Sequence, residues 1–170
     1  MLRLPPTFAE RDATLVAPDL LNKLMVVGGR VARITEVEAY TADDEASHSF
    51  RGPTPRNAPM FGPAGHWYVY FIYGMHHCIN LVTGAPGDGQ AVLIRSAVVD
   101  GTPVIGPGRL SRALEVDLAW SGRVSELFDD GIDPPATPLV TPRIGITKAV
   151  DLPRRWLLPR QSGGRSQRNQ

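Results

Sequence analysis

Apolar residues near the N-terminus change their spacing at a pair of glycines, which separates two predicted elements. Residues 1–12 contain two prolines and predict an irregular leader. From Ala13 to Val27 apolar residues recur near a period of about 3.6, which predicts a helix that packs on a sheet. From Val31 to Tyr40 the pattern alternates instead and predicts a strand.

The predicted strand brings a carboxylate and an aromatic ring to one face. Because successive side chains point to opposite faces of a strand, Glu38 and Tyr40 should point together. Ile34 and Glu36 are expected on that same face. A pair of glutamates on an alternating strand is more often a solvated face than a catalytic one, so this pattern alone does not indicate chemistry.

An acidic segment and a long loop follow. Thr41 precedes three acidic residues and predicts the start of a short helix, which would return His48 towards the end of the preceding strand. Residues 49–65 are rich in proline, glycine and arginine and predict a long loop.

The most informative region is the β-branched and aromatic run HWYVYFIYGMHHCINLV. It is broken only around Tyr73 and Gly74, and it predicts two strands joined by a tight turn. Tyr73 should therefore lie at the tip of a hairpin, where a ring has little core to join. Residues Ala91–Val99 predict another buried strand, in which Arg95 requires a partner.

Weaker patterns complete the chain. They predict a short helix over Arg109–Val116, mostly loop over residues 121–141, a last strand over Pro142–Thr147 and a disordered basic tail over residues 161–170. Alternating strands with few helices between them favour an α+β fold. We expect one mixed domain over residues 1–160, with a curved, largely antiparallel sheet, peripheral helices and a protruding hairpin.

Composition narrows the class of protein. A length of 170 residues fits one domain, and the sequence contains neither a stretch of about 18 apolar residues nor a signal-peptide pattern, which indicates a soluble cytoplasmic protein. Cys78 is the only cysteine, so an intramolecular disulfide and a multi-cysteine metal site are excluded. We expect no cofactor and no metal.

Charge gives a weak indication of the partner. The net charge is only +1, but the positive charge rests almost entirely on arginine, because Lys23 and Lys148 are the only lysines. The planar guanidinium of arginine can donate two hydrogen bonds to one phosphate, so this composition favours phosphate recognition. Arg109, Arg154 and Arg155 are candidate phosphate contacts, and for each of them a solvated surface role is an equal alternative.

The strand-borne glutamates and the aromatic run together suggest a hydrolytic site. A carboxylate beside an aromatic wall can act as a general base for water. Unpaired bases are often held by stacking between rings, and Tyr68, Tyr70 and Tyr73 would provide such rings. The alternative is that these tyrosines fill core or edge-strand positions, which is strongest for Tyr70.

Several separated motifs then carry a family resemblance. The segments TEVEAY, DEASHS, TPRNAPMFGPAGHWYVYFIYGMHHCIN, VLIR, GPGRL and TPRIGI resemble the alkyladenine (3-methyladenine) DNA glycosylase family, in its bacterial form. The resemblance covers most of residues 13 to 150. It implies a protein that flips damaged purines, of the 3-methyladenine, hypoxanthine and ethenoadenine class, out of double-stranded DNA and hydrolyses the N-glycosidic bond during base excision repair.

The resemblance also assigns catalytic roles. Glu38 occupies the family's general-base position, and Glu36 is the alternative carboxylate to test against it. Arg95 matches the arginine that helps to hold the attacking water. A buried pair of glutamate and arginine would also keep Glu38 ionised.

Other positions match the family's DNA contacts. Tyr40, His48 and Tyr70 match the residues that line the base pocket, and Tyr73 matches the side chain that fills the gap left by the flipped nucleotide. Asn80 matches a pocket residue that clashes with the amine of normal guanine. For His48 and Asn80 the residues alone would favour a surface histidine and a strand asparagine bonded to backbone.

Three further expectations concern mechanism and assembly. Cleavage of the DNA backbone would need an amine nucleophile. Because both lysines lie outside the pocket motifs, we predict a monofunctional glycosylase without lyase activity. The resemblance suggests a monomer, located with the nucleoid.

The chain departs from the family at His66, at the pair His76 and His77, and at the C-terminal RWLLP, which bears on lesion range and DNA affinity. One alternative is a non-catalytic protein of the same fold that binds damaged DNA. Another is a metal site formed by those histidines with Cys78 or nearby acids. Adjacent strand residues point apart, which argues against the metal site.

Overall fold

A single sheet organises residues 1–159, which are the residues that the computed structural model describes. This confirms the expected α+β class. The sheet has 10 strands, and its pairs within this range are antiparallel. The strands are β1 (Leu2–Arg3), β2 (Leu24–Val27), β3 (Arg30–Tyr40), β4 (Trp67–Ile72), β5 (His76–Thr83), β6 (Gln90–Val99), β7 (Thr102–Ile105), β8 (Leu127–Asp129), β9 (Leu139–Thr141) and β10 (Arg155–Leu157).

The long strands β3 and β6 lie at the centre of the sheet. The strand order is β1-β8-β2-β3-β6-β5-β4, with β7 pairing with β6 and β10 pairing with both β3 and β9. One edge of β3 therefore pairs with β2 in its first half and with β10 in its second half. The helices are α1 (Ala13–Leu20), which packs on β3 and β6, and α2 (Pro107–Ala113), which packs on β5 and β6.

The predicted helix over Ala13–Val27 is wrong beyond its first half. Helix α1 begins at the N-cap Asp12, whose side chain accepts a hydrogen bond from the Thr14 amide, and it ends at Leu20. Asn22 then has a φ of 68°, which reverses the chain. The apolar residues that follow form β2 rather than more helix, because a short apolar run fits either element and pairing with β3 decides it.

A β-bulge in β3 changes which alternate residues of the strand point into the core. The pairing of β3 with β6 shifts on both sides of Glu36. Before the bulge Ala32 and Ile34 belong to the core, and after it Val37 and Ala39 do. The prediction that Glu38 and Tyr40 share a face is confirmed, but the placement of Ile34 with them is wrong because the bulge adds one residue to the count.

The predicted hairpin is confirmed. Strands β4 and β5 pair in register from Trp67 opposite Leu81 to Ile72 opposite His76. Tyr73 and Gly74 in the turn have φ values of 55° and 64°, a left-handed conformation that suits glycine and strains tyrosine. The Tyr73 side chain is 74% exposed.

Several weaker predictions fail. The acid-led segment after Thr41 forms turns rather than a helix, and Pro142–Thr147 is not a strand. The last described strand is instead β10, while β8 and β9 lie in the region predicted as loop. The leader contains β1 and a 3-10 helix over Pro6–Phe8, and a second 3-10 helix over Ala58–Phe61 lies within the predicted long loop.

The helix predicted over Arg109–Val116 is formed as α2, two residues earlier and shorter. The predicted disordered tail lies outside the described residues. Within residues 1–159, neither helix is long and apolar enough to cross a membrane.

The main hydrophobic core lies on one face of the sheet, between β2 to β6 and the two helices. A second, smaller cluster lies around Met60, Tyr68, Val82 and Ala91. Its members on β4, β5 and β6 alternate with residues of the main core, so it lies on the opposite face.

Candidate active site

A cavity of about 430 Å³ opens on the sheet face opposite the main core. Its volume is within the range of small-molecule sites, roughly 300–1,000 Å³. Side chains from β3, β4, β5 and β6 line it together with segments 45–48 and 144–148. The residues predicted from the sequence that line this cavity are Tyr40, His48, Tyr68, Tyr70, Tyr73, Asn80 and Arg95.

Glu38 lies beneath the cavity rather than in its lining. Its side chain is fully buried, and Arg95, which does line the cavity, contacts it. Arg95 Nη1 donates to Glu38 Oε1 at 3.1 Å and lies 3.5 Å from Oε2. The fold therefore brings together the predicted general base and the predicted arginine from the two central strands.

Glu36 binds the other side of the same arginine. Arg95 Nε donates to Glu36 Oε1 at 2.9 Å, and Ser96 Oγ donates to Glu36 Oε2 at 2.6 Å. Both glutamates are buried, so a solvated strand face is the wrong interpretation for either of them. The bulge in β3 places both carboxylates on the cavity side of the sheet.

The two carboxyl groups have opposite pKa shifts. Burial raises the pKa of Glu38, and the charges of Arg95 and Arg143 and the backbone amide of Ile144 only partly oppose it. Arg95 acts in the expected direction, since its charge favours ionised Glu38, but the loss of hydration is the larger effect and the net pKa is raised.

For Glu36, burial is the largest single effect and acts to raise the pKa, but several opposing contacts together lower it. Hydrogen bonds from Ser96 and Arg155 contribute most, followed by the charge of Arg95. A base with a raised pKa beside an anchored arginine is an arrangement suited to accepting a proton.

Three aromatic residues form one wall of the cavity. The rings of His48 and Tyr70 lie 4.4 Å apart at 62°, and those of Tyr68 and Tyr70 lie 5.7 Å apart. His48 Nδ1 is 2.9 Å from the Tyr68 hydroxyl. Burial and the nearby charge of Arg56 lower the pKa of His48, which favours the neutral imidazole. Burial raises the pKa of Tyr68 to about 12.

A buried ion pair between Arg143 and Asp44, which was not predicted from the sequence, lies beside the ring of Tyr40. The guanidinium carbon of Arg143 lies 4.6 Å from the centre of the Tyr40 ring. Arg143 donates to Asp44 and, at 3.0 Å, to the carbonyl of Ala39. The arginine inside TPRIGI and the excess of acids around Asp44 were the available signals, but nothing in the spacing connects them.

Asn80 is buried beside this wall. Its side-chain amide donates to the carbonyl of Tyr68 at 3.0 Å. It therefore makes the backbone contact expected of a strand asparagine and also lines the cavity, so both sequence interpretations describe the same side chain.

The chain is similar in sequence to known proteins of one family. The family model described as methylpurine-DNA glycosylase matches residues 7–162. The chain belongs to the methylpurine-DNA glycosylase family. A relative from Burkholderia lata is 46% identical over 92% of this chain and 87% of its own length.

Two further relatives come from other organisms. The relative from Methanoculleus marisnigri is 42% identical over 92% of this chain and 95% of its own length. That from Rhizobium etli is 44% identical over 88% of this chain and 82% of its own length. All three carry the name 3-methyladenine DNA glycosylase as a provisional assignment.

The candidate phosphate contacts of this family member differ in accessibility. Arg109 is exposed near the start of α2. Arg154 Nη1 donates to Thr41 Oγ1 at 2.7 Å, and Arg155 Nε donates to Glu36 Oε1 at 2.6 Å. The partly buried side chains of Arg154 and Arg155 are therefore bound within the protein, which favours structural roles.

The two lysines occupy different surroundings. Lys23 is buried and forms an ion pair with Asp129 at 2.8 Å, away from the cavity. Lys148 is exposed and belongs to the cavity lining. Lys148 lies outside the pocket motifs of the sequence, but the segment after β9 folds against the cavity without forming the predicted strand and brings Lys148 to the lining.

The histidines around the hairpin do not converge. His77 packs on Phe71 with the ring centres 4.8 Å apart. His76 packs closely against Gly108, since a Cβ atom added to Gly108 would lie 2.7 Å from His76 Nδ1. His66 forms a bridge with Val124. Within residues 1–159, no group of three or more metal-binding side chains is close enough to hold an ion.

Proposed function

We propose that this family member is a DNA repair glycosylase that removes alkylated or deaminated purines from double-stranded DNA. The proposed substrates are bases of the 3-methyladenine, hypoxanthine and ethenoadenine class. The observation that carries the proposal is the Glu38–Arg95 pair, which lies directly beneath an aromatic-lined cavity large enough for a single base. The protein is proposed to act as a monomer and without a cofactor, on chromosomal DNA in the cytoplasm.

Base flipping would use the hairpin and the aromatic wall. Extrusion of a nucleotide costs a few kcal/mol of unstacking. Tyr73 is exposed at the hairpin tip, beside the cavity mouth, and would fill the gap in the duplex. Stacking of the flipped base against Tyr40, Tyr70 and His48 would return about 1–3 kcal/mol for each ring.

Hydrolysis would proceed on the cavity side of Glu38. A water molecule attacks the anomeric carbon of the deoxyribose, and Glu38 accepts its proton. The bond between that carbon and the purine nitrogen breaks, and its electron pair leaves with the base. The raised pKa of Glu38 makes it a stronger base once ionised, and Arg95 supplies a positive charge that helps to orient the water.

Selectivity would come from the buried Asn80. Its amide nitrogen is held on the Tyr68 carbonyl, which fixes the side chain against the base. A fixed polar group can reject the exocyclic amine of normal guanine by steric clash.

The decisive experiment is single-turnover base release from duplex oligonucleotides that contain hypoxanthine or ethenoadenine, and from methylated DNA, in EDTA. Wild type should release the base, and Glu38→Gln should abolish release. The matched control is Glu10→Gln, which changes the same group at an exposed site and should have no effect. Wild-type inactivity on all three substrates would refute the proposed activity.

One observation favours a second candidate, a non-catalytic protein that binds damaged DNA. Glu38 is fully buried and bonded to Arg95, and it is not among the residues that line the cavity. This candidate predicts that wild type binds the lesion-containing duplex tightly but releases no base.

We also propose that the enzyme is monofunctional, despite the position of Lys148. A lyase would form a Schiff base between an amine and the abasic sugar, which borohydride traps as a covalent complex. We expect no trapped complex with wild type. A complex that disappears in Lys148→Arg would show instead that the cavity lysine acts as a nucleophile.

A further inference from the structure

Glu36 joins three strands around Arg95. Its Oε1 accepts hydrogen bonds from Arg95 Nε at 2.9 Å and from Arg155 Nε at 2.6 Å. Its Oε2 accepts from Ser96 Oγ at 2.6 Å. Ser96 Oγ in turn accepts from the amide of Gly106 at 3.2 Å, so the network extends to the residue that precedes α2.

We propose that Glu36 is a positioning residue for the reaction, which holds Arg95 by its Nε so that only Nη1 reaches Glu38. This inference rests on the proposed function. An arginine facing a single carboxylate commonly forms two parallel hydrogen bonds with it. Here the guanidinium is divided between two carboxylates, and its contacts with Glu38 come from Nη1 alone, at 3.1 and 3.5 Å.

Sharing Arg95 between two carboxylates affects the pKa of Glu38, the proposed general base. A complete two-pronged pair with Arg95 would stabilise ionised Glu38 and weaken it as a base. Burial is the main cause of the raised pKa of Glu38, and the negative charge of Glu36 adds to it. By competing for the arginine, Glu36 would act in the same direction. The charged or titratable groups that face Glu38 are Arg95 from β6, Cys78 from β5, Arg143 from the segment after β9, and Glu36 and Tyr40 from its own strand.

A purely structural role for Glu36 predicts little net change. If Glu36 only joined the strands, its loss would free Arg95 from a fixed position and weaken the contact with Glu38, which would raise the pKa of Glu38. Loss of the Glu36 charge would lower that pKa and offset the increase. If Glu36 competes for Arg95, its loss lets both guanidinium edges turn to Glu38, and the pKa of Glu38 falls.

The test is Glu36→Gln, which keeps the shape of the side chain and removes its charge. The carboxyl carbon of Glu38 is titrated by ¹³C NMR in the free protein and assigned with Glu38→Gln. Its midpoint should move down by about one pH unit. The acidic limb of the single-turnover rate should move the same way, and the plateau rate should fall roughly tenfold. Glu10→Gln, at an exposed site, is the matched control and should shift neither midpoint.

A second variant keeps the inference testable if Glu36→Gln does not fold. Ser96→Ala removes one hydrogen bond to Glu36 and should give a smaller shift of the Glu38 midpoint in the same direction. An unchanged or raised midpoint in Ser96→Ala overturns the inference even if Glu36→Gln lowers the midpoint, because Ser96→Ala keeps the negative charge of Glu36. The NMR midpoint does not depend on base release, so an inactive wild type would refute the proposed function while the titration still decides whether Glu36 controls the Arg95–Glu38 contact.

Discussion

The buried pair of Asp44 and Arg143 should be essential for stability. Both side chains are completely buried. Asp44 accepts hydrogen bonds from both terminal nitrogens of Arg143, and Arg154 Nη1 lies 3.6 Å from the same carboxylate. Replacing Asp44 by asparagine keeps the shape of the side chain but removes the charge that balances Arg143.

The magnitude follows from what remains around the arginine. Without the carboxylate, the guanidinium retains the carbonyls of Ala39 and Ala149 at 3.0 and 3.4 Å and the face of Tyr40. Removing one partner of a buried pair costs about 3–5 kcal/mol. Since a domain of this size is stable by only about 5–15 kcal/mol, Asp44→Asn should lose a large part of the free energy of unfolding.

Urea denaturation followed by circular dichroism measures this loss. Asp100→Asn is the matched control, because its ion pair with Arg30 spans 3.4 Å and both side chains are about half exposed, so it should cost less than about 1 kcal/mol. The double variant Asp44→Leu with Arg143→Met removes both charges and should cost less than Asp44→Asn alone. If Asp44→Asn costs no more than Asp100→Asn, the buried pair does not stabilise the fold as argued.

Three further predictions test the site. Tyr73→Ala should slow base release from duplex DNA by about tenfold and have little effect on single-stranded DNA, where no gap needs filling; an equal loss on both substrates would exclude a wedge role. Base release should decline as the pH falls through the pKa of Glu38, and the decline should begin at a higher pH than for a glutamate in water, because burial raises that pKa and only the ionised form accepts a proton; a rate that does not vary between pH 4 and 8 would contradict this. Arg109→Ala should reduce the steepness of the plot of log binding constant against log salt concentration by about one. Arg30→Ala is the control, because Arg30 is exposed and paired with Asp100, and it should leave the slope unchanged. Equal slopes for both variants would show that Arg109 does not contact DNA.

Local patterns predicted the elements whose residues leave little choice. The hairpin was predictable because a β-branched and aromatic run fits only strands, and Gly74 allows the positive φ that the turn requires. The common face of Glu38 and Tyr40 followed from the period of two alone. The bulge at Glu36 was not predictable, because no glycine or proline marks it and it depends on the pairing with β6.

The failed predictions arise where pairing partners are distant in sequence. Residues Leu24–Val27 fit a helix or a strand equally well, and the hydrogen bonds to β3 and β8 make them a strand. Strand β10 forms because Arg155–Leu157 pairs with both β3 and β9. The pattern of apolar residues carries no information about such contacts.

The same limit explains why the residue pattern, without the family resemblance, could not assign separate roles to Glu36 and Glu38. They are identical side chains two residues apart, and both lie on the cavity side of the sheet. Their difference comes from Arg155, which is 119 residues from Glu36 along the chain, and from Ser96, which is 60 residues away. These donors lower the pKa of Glu36, whereas burial, only partly opposed by Arg95, raises that of Glu38. Two environments that separate the pKa values of neighbouring carboxyl groups commonly mark different chemical roles. On this argument we propose that Glu36 anchors Arg95 as a carboxylate and that Glu38 is the group that exchanges a proton.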